Sequence, residues 1–297
     1  PSSPATMTKS RKARVVKGGF RLEQLPVELL QEVLSFTTSS AGVYRSLLLV
    51  SKSLNSIVKL HCLQVVPVVL QGIEKLRSFD RLLASSPKSP SYVRYLWIYG
   101  QGLKEWELID SIVARCSNVV ALSCNSRTLA SLCSSPSFLH TRCTELTLIE
   151  SWHDWKPIVA ARHGSQYCAQ ITHLRLYQGL DPEFPKRYFT NLTHLAFSCS
   201  PIGDYLKRYS GYLSGLRSLL LIVATNAEWH YNSFPDASVS ELLENDRRFA
   251  ILQCREDWTE FGAWRDRIRG GRSLWEQAEV SRKSMQVFRD AFKIPQG

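Results

Sequence analysis

The first regular pattern in the chain is a run of apolar residues between positions 25 and 36. These residues recur every three or four positions, which is the spacing of a helix that buries one face. They are Leu25, Leu29, Leu30, Val33, Leu34 and Phe36. Pro26 falls in the expected first turn, where its missing N–H costs no hydrogen bond. The pattern therefore predicts a helix over this stretch.

Two more helical patterns follow, over residues 43–50 and 54–60. The first of them ends in Leu47-Leu48-Leu49-Val50, a run too apolar on all sides for a helix surrounded by water. Three short helices in about 36 residues enclose too little apolar surface to fold independently. We therefore expect residues 21–60 to form a small helical unit that needs a partner surface. That surface is either another protein or the rest of this chain, which the unit would then cap.

A different pattern begins near residue 63 and repeats along the chain. The motif apolar-x-x-Leu-x-apolar occurs seven times. The first five spacings between its central leucines lie in the range of leucine-rich repeats, and the last spacing is a longer outlier. Val66 and Val68 could belong to an eighth, degenerate strand. The central leucines are Leu96, Leu122, Leu146, Leu174, Leu195, Leu219 and Leu252.

Amphipathic segments lie between several of these motifs, over residues 73–83, 106–116 and 205–213. A strand and a helix at this period cannot bury their own apolar faces, so neighbouring repeats must stack into a curved solenoid with a parallel sheet. The Asn or Cys that regular leucine-rich repeats place five residues after the central Leu is missing in all seven motifs. We therefore expect irregular, unequal repeats over residues 61–260.

The C-terminal residues 261–297 contain one more helical pattern. Ser273 and Glu276 have the spacing of a capping box at a helix start. Leu274, Ala278 and Ser281 then recur at intervals of four and three. We expect an amphipathic helix that caps the last open repeat, with a partner-binding helix as the alternative. The predicted fold class is α/β: a short helical unit, an irregular leucine-rich-repeat-like solenoid with a parallel sheet, and this capping helix.

Composition and charge restrict the possible functions. Apolar residues make up 44% and charged residues 21% of the chain, which is typical of globular proteins. The net charge of +11 favours acidic partners, whether nucleic acid, anionic lipid or protein. Part of this charge lies in residues 1–20, which we expect to be a disordered basic tail. Such a tail is typical of an interaction arm or a nuclear-import signal, but it also serves simply to keep a protein soluble.

The chain has no signal for membrane insertion or secretion. Its longest apolar run, residues 63–70, is far shorter than a membrane span and includes Gln64 and Pro67. The first residues are polar and basic, without the apolar region of a secretory signal. The eight Cys form no C-x-x-C motif and mostly occupy apolar positions of the repeats. We therefore expect a soluble protein of the cytoplasm or nucleus, with no membrane association and with its Cys as small core residues in a reducing compartment.

The helical unit resembles an F-box. The resemblance is carried by Leu25-Pro26-x-Glu28-Leu29-Leu30-x-x-Val33-Leu34, followed by Leu47-x-x-Val50-Ser51-x-x-Leu54-x-x-Ile57. Leu54 departs from the family pattern, because many F-boxes carry Trp at this position. Together with the repeats, the chain resembles fungal F-box proteins with degenerate leucine-rich repeats. The C-terminal motif of that group is matched by Arg269-Gly270, Trp275 and Ala278-Glu279.

The resemblance implies a non-catalytic subunit of a ubiquitin ligase without a cofactor. The F-box would bind a Skp-type adaptor and, through it, a cullin, while the repeats would hold a protein substrate of unknown identity. A scaffold whose F-box has drifted is the alternative. The expected adaptor-binding residues come from the three helical patterns; they are Leu25, Pro26, Leu29, Leu30, Val33, Leu34, Leu47, Val50 and Leu54.

The alternation of side chains along a strand also predicts which residues face away from the helices. Residues flanking each central leucine lie on the opposite face of the sheet, and aromatic and basic residues there are typical of protein interfaces. The expected substrate-binding residues are Tyr95, Trp97, Tyr99, His173, Arg175, Tyr177 and His194. The alternative is that loops or the C-terminal helix cover this face, so that its aromatic residues belong to a core.

No common catalytic or nucleotide-binding motif occurs in the chain. His173 and His194 occupy equivalent positions in adjacent repeats and could approach each other, but the spacing offers no third metal ligand. We therefore expect no catalytic residue and no metal site. The absence of a nucleic-acid-binding module makes nucleic acid a poor candidate for the partner, despite the positive charge.

Overall fold

The computed structural model of the chain describes most residues between positions 25 and 292. The predicted basic tail and most of the amphipathic segment 205–213 lie outside the described residues. The described ranges are 25–36, 41–99, 105–136, 140–149, 154–177, 183–198, 212–213, 215–216, 218–226, 246–253 and 259–292.

Three helices form the N-terminal part of the structure: α1 (Val27–Phe36), α2 (Ala41–Leu48) and α3 (Lys52–Val65). Ser51 caps α3, because its hydroxyl oxygen accepts a hydrogen bond from the amide of Leu54 at 3.1 Å. The three helices surround a small core of their own. Its fully buried side chains are Leu30, Leu34, Tyr44, Leu54 and Val58.

Helix α3 belongs to two cores. Leu54 and Val58, in its first half, lie in the core of the three helices. Leu63, near its end, is instead buried in the much larger core that follows. The chain then enters the first strand after only Val66 and Pro67. A continuous helix therefore connects the two parts of the molecule, and α3 runs past the predicted end of the helical unit at residue 60.

The rest of the described chain is built on an eight-stranded sheet. All neighbouring strands are parallel, and their order across the sheet is their order in the sequence, which confirms the predicted parallel sheet. The strands are β1 (Val68–Gln71), β2 (Tyr95–Tyr99), β3 (Ala121–Cys124), β4 (Glu145–Leu148), β5 (His173–Leu176), β6 (His194–Ser198), β7 (Leu221–Asn226) and β8 (Phe249–Gln253).

Helices between successive strands cover one face of this sheet, which we call the first face. Their apolar sides and the central residues of the strands form one continuous core. The predicted amphipathic segments 73–83 and 106–116 are among these helices. The helices are α4 (Ile73–Ser85), α5 (Trp106–Arg115), α6 (Ser126–Ser134), α7 (Trp155–Ala160) and α8 (Gly164–Gln170).

The strand register corrects two of the seven predicted motifs. In β7, Ile222 and not Leu219 lies beside Leu195, and in β8 Phe249 and not Leu252 lies beside Ile222. Both strands are apolar at every position from their first residue to their fourth, so apolar alternation could not decide which residues face the helices. With the register corrected, every spacing between aligned positions falls in the range of leucine-rich repeats. The aligned positions are Val68, Leu96, Leu122, Leu146, Leu174, Leu195, Ile222 and Phe249.

The repeats share a backbone anchor that the sequence did not reveal. One carbonyl before each of five strands accepts hydrogen bonds from two consecutive amides of the next repeat; these carbonyls belong to Arg94, Val120, Thr144, Thr172 and Thr193. Side chains reinforce the pattern, since the Thr172 hydroxyl donates to Thr144 O at 3.2 Å and the Thr193 hydroxyl donates to Thr172 O at 3.0 Å. Three side-chain amides also donate to backbone carbonyls one repeat earlier: Asn118 to Ser91 O, Gln170 to His140 O and Asn191 to Ala169 O.

Two C-terminal helices cover the opposite, second face of the sheet. Helix α9 (Glu260–Ile268) lies over β2 to β5, and α10 (Leu274–Phe292) lies over β6 to β8. The predicted capping box is confirmed: Ser273 Oγ accepts from the Glu276 amide at 3.0 Å, and the Ser273 amide donates to the Glu276 carboxylate at 2.7 Å. The Ser281 hydroxyl donates to Ile251 O, in the last strand, at 3.3 Å. The helix predicted to cap the last repeat therefore packs mainly against a sheet face.

Candidate functional site

The surface of the three N-terminal helices exposes four of the nine predicted adaptor-binding residues and part of two more. Leu29 is 47% exposed, Val33 40% and Val50 63%. Pro26 is also exposed, and Leu25 and Leu47 are half-buried. Leu29 and Val33 are four residues apart, so they lie on the same side of α1. Four of these residues are therefore exposed to solvent, whereas Leu25 and Leu47 pack partly against the core of the unit.

Three of the predicted adaptor-binding residues are not on this surface. Leu30 and Leu34 are 1% exposed and Leu54 is 2% exposed, because all three fill the core of the helical unit. Leu30 follows Leu29 directly, so its side chain points about 100° away around the helix. Both faces of α1 are apolar, and the pattern alone could not separate the buried face from the exposed one. We therefore assign Leu30, Leu34 and Leu54 to packing within the unit.

Other exposed apolar side chains extend the surface beyond the predicted set. Among the described residues, seven of the eleven large hydrophobic side chains that are exposed lie between positions 27 and 50. Exposed apolar side chains that are concentrated in one short segment are typical of interaction sites. We call this set of exposed residues the apolar helical surface; it consists of Pro26, Val27, Leu29, Val33, Phe36, Val43, Leu49 and Val50.

A buried polar contact fixes the helices that carry this surface. The Tyr44 hydroxyl donates to the backbone carbonyl of Leu34 at 3.2 Å and lies 3.1 Å from Nδ1 of His61. The contact joins α1, α2 and α3, and all three residues are buried. Burial lowers the pKa of His61, so its ring is neutral at pH 7. The side chains that hold the helices together are therefore separate from the exposed apolar ones.

A groove between the end of α2 and the start of α3 borders the apolar helical surface. Asn55 closes one side of it by donating from its amide to Leu48 O at 2.8 Å. The exposed Leu49 and Lys52 place an apolar and a basic group at its rim. The groove is lined by Leu48, Leu49, Ser51, Lys52, Asn55 and Ser56.

The predicted substrate-binding residues lie on the second face, and helix α9 covers two of them. Trp97 is 4% exposed, and its ring packs against Phe261 and Trp264 with ring centroids 5.3 and 5.2 Å away. Arg175 is 6% exposed and forms an ion pair with Glu260. The expectation of an open row of binding residues is therefore wrong for Trp97 and Arg175, because the C-terminal helices cover the row.

His173 and His194 come together as their equivalent positions suggested. Their rings stack with centroids 4.2 Å apart, and Trp275 of α10 packs edge-on against both at 5.4 Å. The Thr172 and Thr193 hydroxyls lie 2.9 and 2.8 Å from the respective Nδ1 atoms. Burial, the neighbouring His194 and Arg267 lower the pKa of His173 to about 4, and burial also lowers the pKa of His194. Both rings are neutral packing residues at pH 7.

The remaining residues of the predicted row differ in accessibility. Tyr95 is half-buried beside Trp97 and Trp264. Tyr99 is 39% and Tyr177 47% exposed, and both lie where a strand ends. The part of the row that is open to solvent is therefore the edge at the carboxyl ends of β2 and β5.

The described residues include few side chains that are arranged for metal binding or for nucleophilic chemistry. No group of three His, Cys, Asp or Glu side chains among them is placed to hold a metal ion. The six described Cys are free thiols, five of them buried, and burial raises the pKa of Cys116 and Cys168 to about 12. Thiols of this kind are unreactive at neutral pH. Within the described part of the chain, no helix combines the length and apolarity needed to cross a membrane.

Comparison with protein families identifies the helical unit. Residues 22–65 match the F-box domain. This interval contains α1, α2 and α3 completely and ends at the last residue of α3. The chain therefore contains an F-box domain, as the sequence motifs suggested. A search of curated proteins found no significant match.

Proposed function

We propose that this protein is the substrate-recruiting subunit of a Skp–cullin–F-box ubiquitin ligase. The observation that carries the proposal is the coincidence of the F-box match with the apolar helical surface. F-box domains typically bind Skp-type adaptors, and exposed apolar side chains on short helices suit a helical partner. Leu29 and Val33, at the centre of the exposed side of α1, are the proposed anchors of the contact.

The buried position of Leu54 supports adaptor binding over a drifted F-box. Many F-boxes have Trp at this position, and loss of a surface Trp would remove a large anchor. Leu54 is 2% exposed and packs with Leu30 and Val58 inside the helical unit. The difference from the family therefore changes internal packing and leaves the exposed surface intact.

The sheet is the proposed substrate-holding part, as a degenerate leucine-rich-repeat solenoid. Its sequential parallel strands and a repeat length in the leucine-rich-repeat range support this interpretation. The shared hydrogen bonds before β3 to β7 also support it, because the same bonding pattern recurs between strands at unequal spacings. Repeats of this kind present extended surfaces to protein partners.

The proposed role requires no bond chemistry in this chain. A subunit that holds a substrate near a ligase raises the local concentration of the substrate, to millimolar order for a well-matched connection. Helix α3 contributes to this role, because Leu54 anchors it in the F-box core and Leu63 anchors it in the sheet core. The adaptor and the substrate would then be held at a fixed separation, in the cytoplasm or the nucleus.

A pull-down from cells tests this function. The intact chain is compared with a Leu25→Ala/Pro26→Ala/Leu29→Ala variant and with Leu220→Ala, a matched change at an exposed leucine of the sheet region. We expect the triple variant to lose the adaptor and cullin and to keep substrate candidates, and Leu220→Ala to keep both. An adaptor that is equally present with the intact chain and the triple variant, or absent from both, would contradict the proposal.

A further inference from the structure

The second face of the sheet has two parts with different chemistry. Beyond the two histidines that contact Trp275, the face under α10 is mainly apolar and lies close to the helix backbone, through Ala196, Leu221, Val223 and Ala250 packed on Leu274 and Ala278. Under α9 the same face is chemically mixed, because it presents an indole ring, hydroxyl groups and charged side chains. The residues of this mixed part are Trp97, Ser123, Glu145, Thr147 and Arg175, which we call the mixed surface.

Helix α9 is held on the mixed surface by long side chains. Phe261 and Trp264 pack against the Trp97 ring, and Ile149 and Ile268 complete this apolar cluster. At the two ends of the helix, Glu260 pairs with Arg175 and Arg267 pairs with Glu145. The helix thus presents an acid, two aromatic rings and a base to complementary groups on the sheet.

The fit between α9 and the mixed surface is incomplete. Burial raises the pKa of Glu260, while Arg175 beside it acts in the opposite direction. The indole Nε1 of Trp97 and the hydroxyl of Ser123 lie in register on β2 and β3, and both are buried without a hydrogen-bond partner among the described residues. Each such group destabilises the contact, because it loses its hydrogen bond to water on burial.

Helix α9 and the main core of the sheet region are separate. That core lies on the first face and contains no residue of α9. The helix ends at Ile268, and Gly270, which has a φ of +80°, and Gly271 follow before α10 begins. A glycine pair can take up a change of direction there while α10 stays on β7 and β8.

We infer that the mixed surface is a peptide-binding site and that α9 is its resident occupant. The partner is a protein segment of the same chemistry as α9: an amphipathic helix with a carboxylate, an aromatic residue directly after it, a second aromatic residue one turn later and a basic residue near its end. Arg175 selects the carboxylate, Trp97 the aromatic pair and Glu145 the basic residue. The inference rests on the proposed function, because this segment would belong to the substrate.

Hydrogen–deuterium exchange of the full chain tests whether α9 opens. We expect the amides of residues 264–268 to exchange at least 10-fold faster than those of residues 278–282 in α10, because only α10 packs closely on the sheet. Exchange in α9 as slow as in α10 would overturn the inference, since α9 would then be a permanent part of the fold.

A peptide-binding measurement tests the site itself. A fluorescein-labelled peptide of residues 259–272 is titrated into the full chain and into its Phe261→Ala/Trp264→Ala variant, which loosens α9. We expect at least 10-fold tighter binding to the variant, and no binding of a control peptide with Glu260→Lys and Trp264→Ala. Absence of peptide binding to the variant would overturn the inference. Loss of folding in the variant would also overturn it, because α9 would then be required for the fold.

Binding of the adaptor distinguishes a failure of this inference from a failure of the proposed function. The same double variant is tested for binding to a purified Skp-type adaptor through its F-box. Normal adaptor binding without peptide binding would reject the peptide site alone. Peptide binding without adaptor binding would reject the ligase role and keep the site.

Discussion

The F-box helices and the sheet region differ in how far each buries its own apolar residues. Among its described residues, the helical unit has five fully buried side chains in its core and seven large hydrophobic side chains on its surface. The main core of the sheet region contains forty buried residues, and only four large hydrophobic side chains are exposed in its described part. The sheet region completes its own interior, whereas the helical unit keeps an apolar surface that another protein can cover.

The largest expected effect is in the core of the sheet region. Leu174 lies between Leu146 and Leu195 and is fully buried. We expect Leu174→Ala to lower the free energy of unfolding by about 2–5 kcal/mol, because it removes buried apolar volume and leaves a cavity. Urea denaturation followed by circular dichroism measures the change. A loss below about 1 kcal/mol would show that this core is not tightly packed.

A smaller effect is expected inside the helical unit. Tyr44→Phe removes the hydroxyl between Leu34 O and His61 and leaves the buried Nδ1 of His61 without this partner. We expect a loss of about 1–3 kcal/mol in the free energy of unfolding, the usual cost of an unsatisfied buried polar group. Thermal unfolding gives the value, and Tyr92→Phe, at a half-buried position outside the unit, is the control. Equal stability of the two variants would contradict the role given to Tyr44.

Acid should weaken the contact between α10 and the sheet. Because the folded-state pKa of His173 is about 4, against 6.5 in the unfolded chain, the folded protein disfavours protonation. The contribution of neutral His173 to the free energy of unfolding is therefore fully present above pH 6.5 and is lost as the pH falls from 6.5 towards 4. Urea midpoints at pH 7.5 and 5.0 measure the loss. A His173→Asn/His194→Asn variant should lose less stability over this range, and an equal loss would assign the pH dependence to other groups.

The smallest effect on stability is expected at the apolar helical surface. Leu29→Ala removes a leucine that is half exposed and lies outside the core. We expect the free energy of unfolding to change by less than about 0.5 kcal/mol, as for most surface substitutions. Differential scanning fluorimetry of Leu29→Ala and of Leu174→Ala compares the loss of thermal stability in the two variants. A loss comparable to that of Leu174→Ala would mean that Leu29 supports the fold and is not free for a partner.

The sequence predicted the strands best where their two faces differ. In β5, Leu174 and Leu176 alternate with His173 and Arg175, so the apolar spacing identified the buried side. In β7 and β8 both faces are apolar, because α10 covers the second one, and the predicted centres were three residues away from the observed ones. The same ambiguity in α1 placed Leu30 and Leu34 on the surface, although they are buried.

The cover on the second face could not be predicted from local patterns. Trp97 and Arg175 are residue types that occur at interfaces, and alternation correctly placed them away from the main core. Their partners, Trp264 and Glu260, lie several repeats away along the chain, after the last strand. Sequence spacing carries no information on such a contact, so it could not decide between an open row of binding residues and the alternative, a face covered by the C-terminal helix.

Adaptor affinity is the most direct measurement of what the apolar helical surface does. Isothermal titration calorimetry of a purified Skp-type adaptor compares the intact chain, Leu29→Asp/Val33→Asp and Leu220→Asp. The ligase role requires that the intact chain and Leu220→Asp bind equally and that the double variant binds at least roughly 100-fold more weakly, the loss expected for two central interface residues. Equal binding of all three proteins, or no binding by the intact chain, would contradict it.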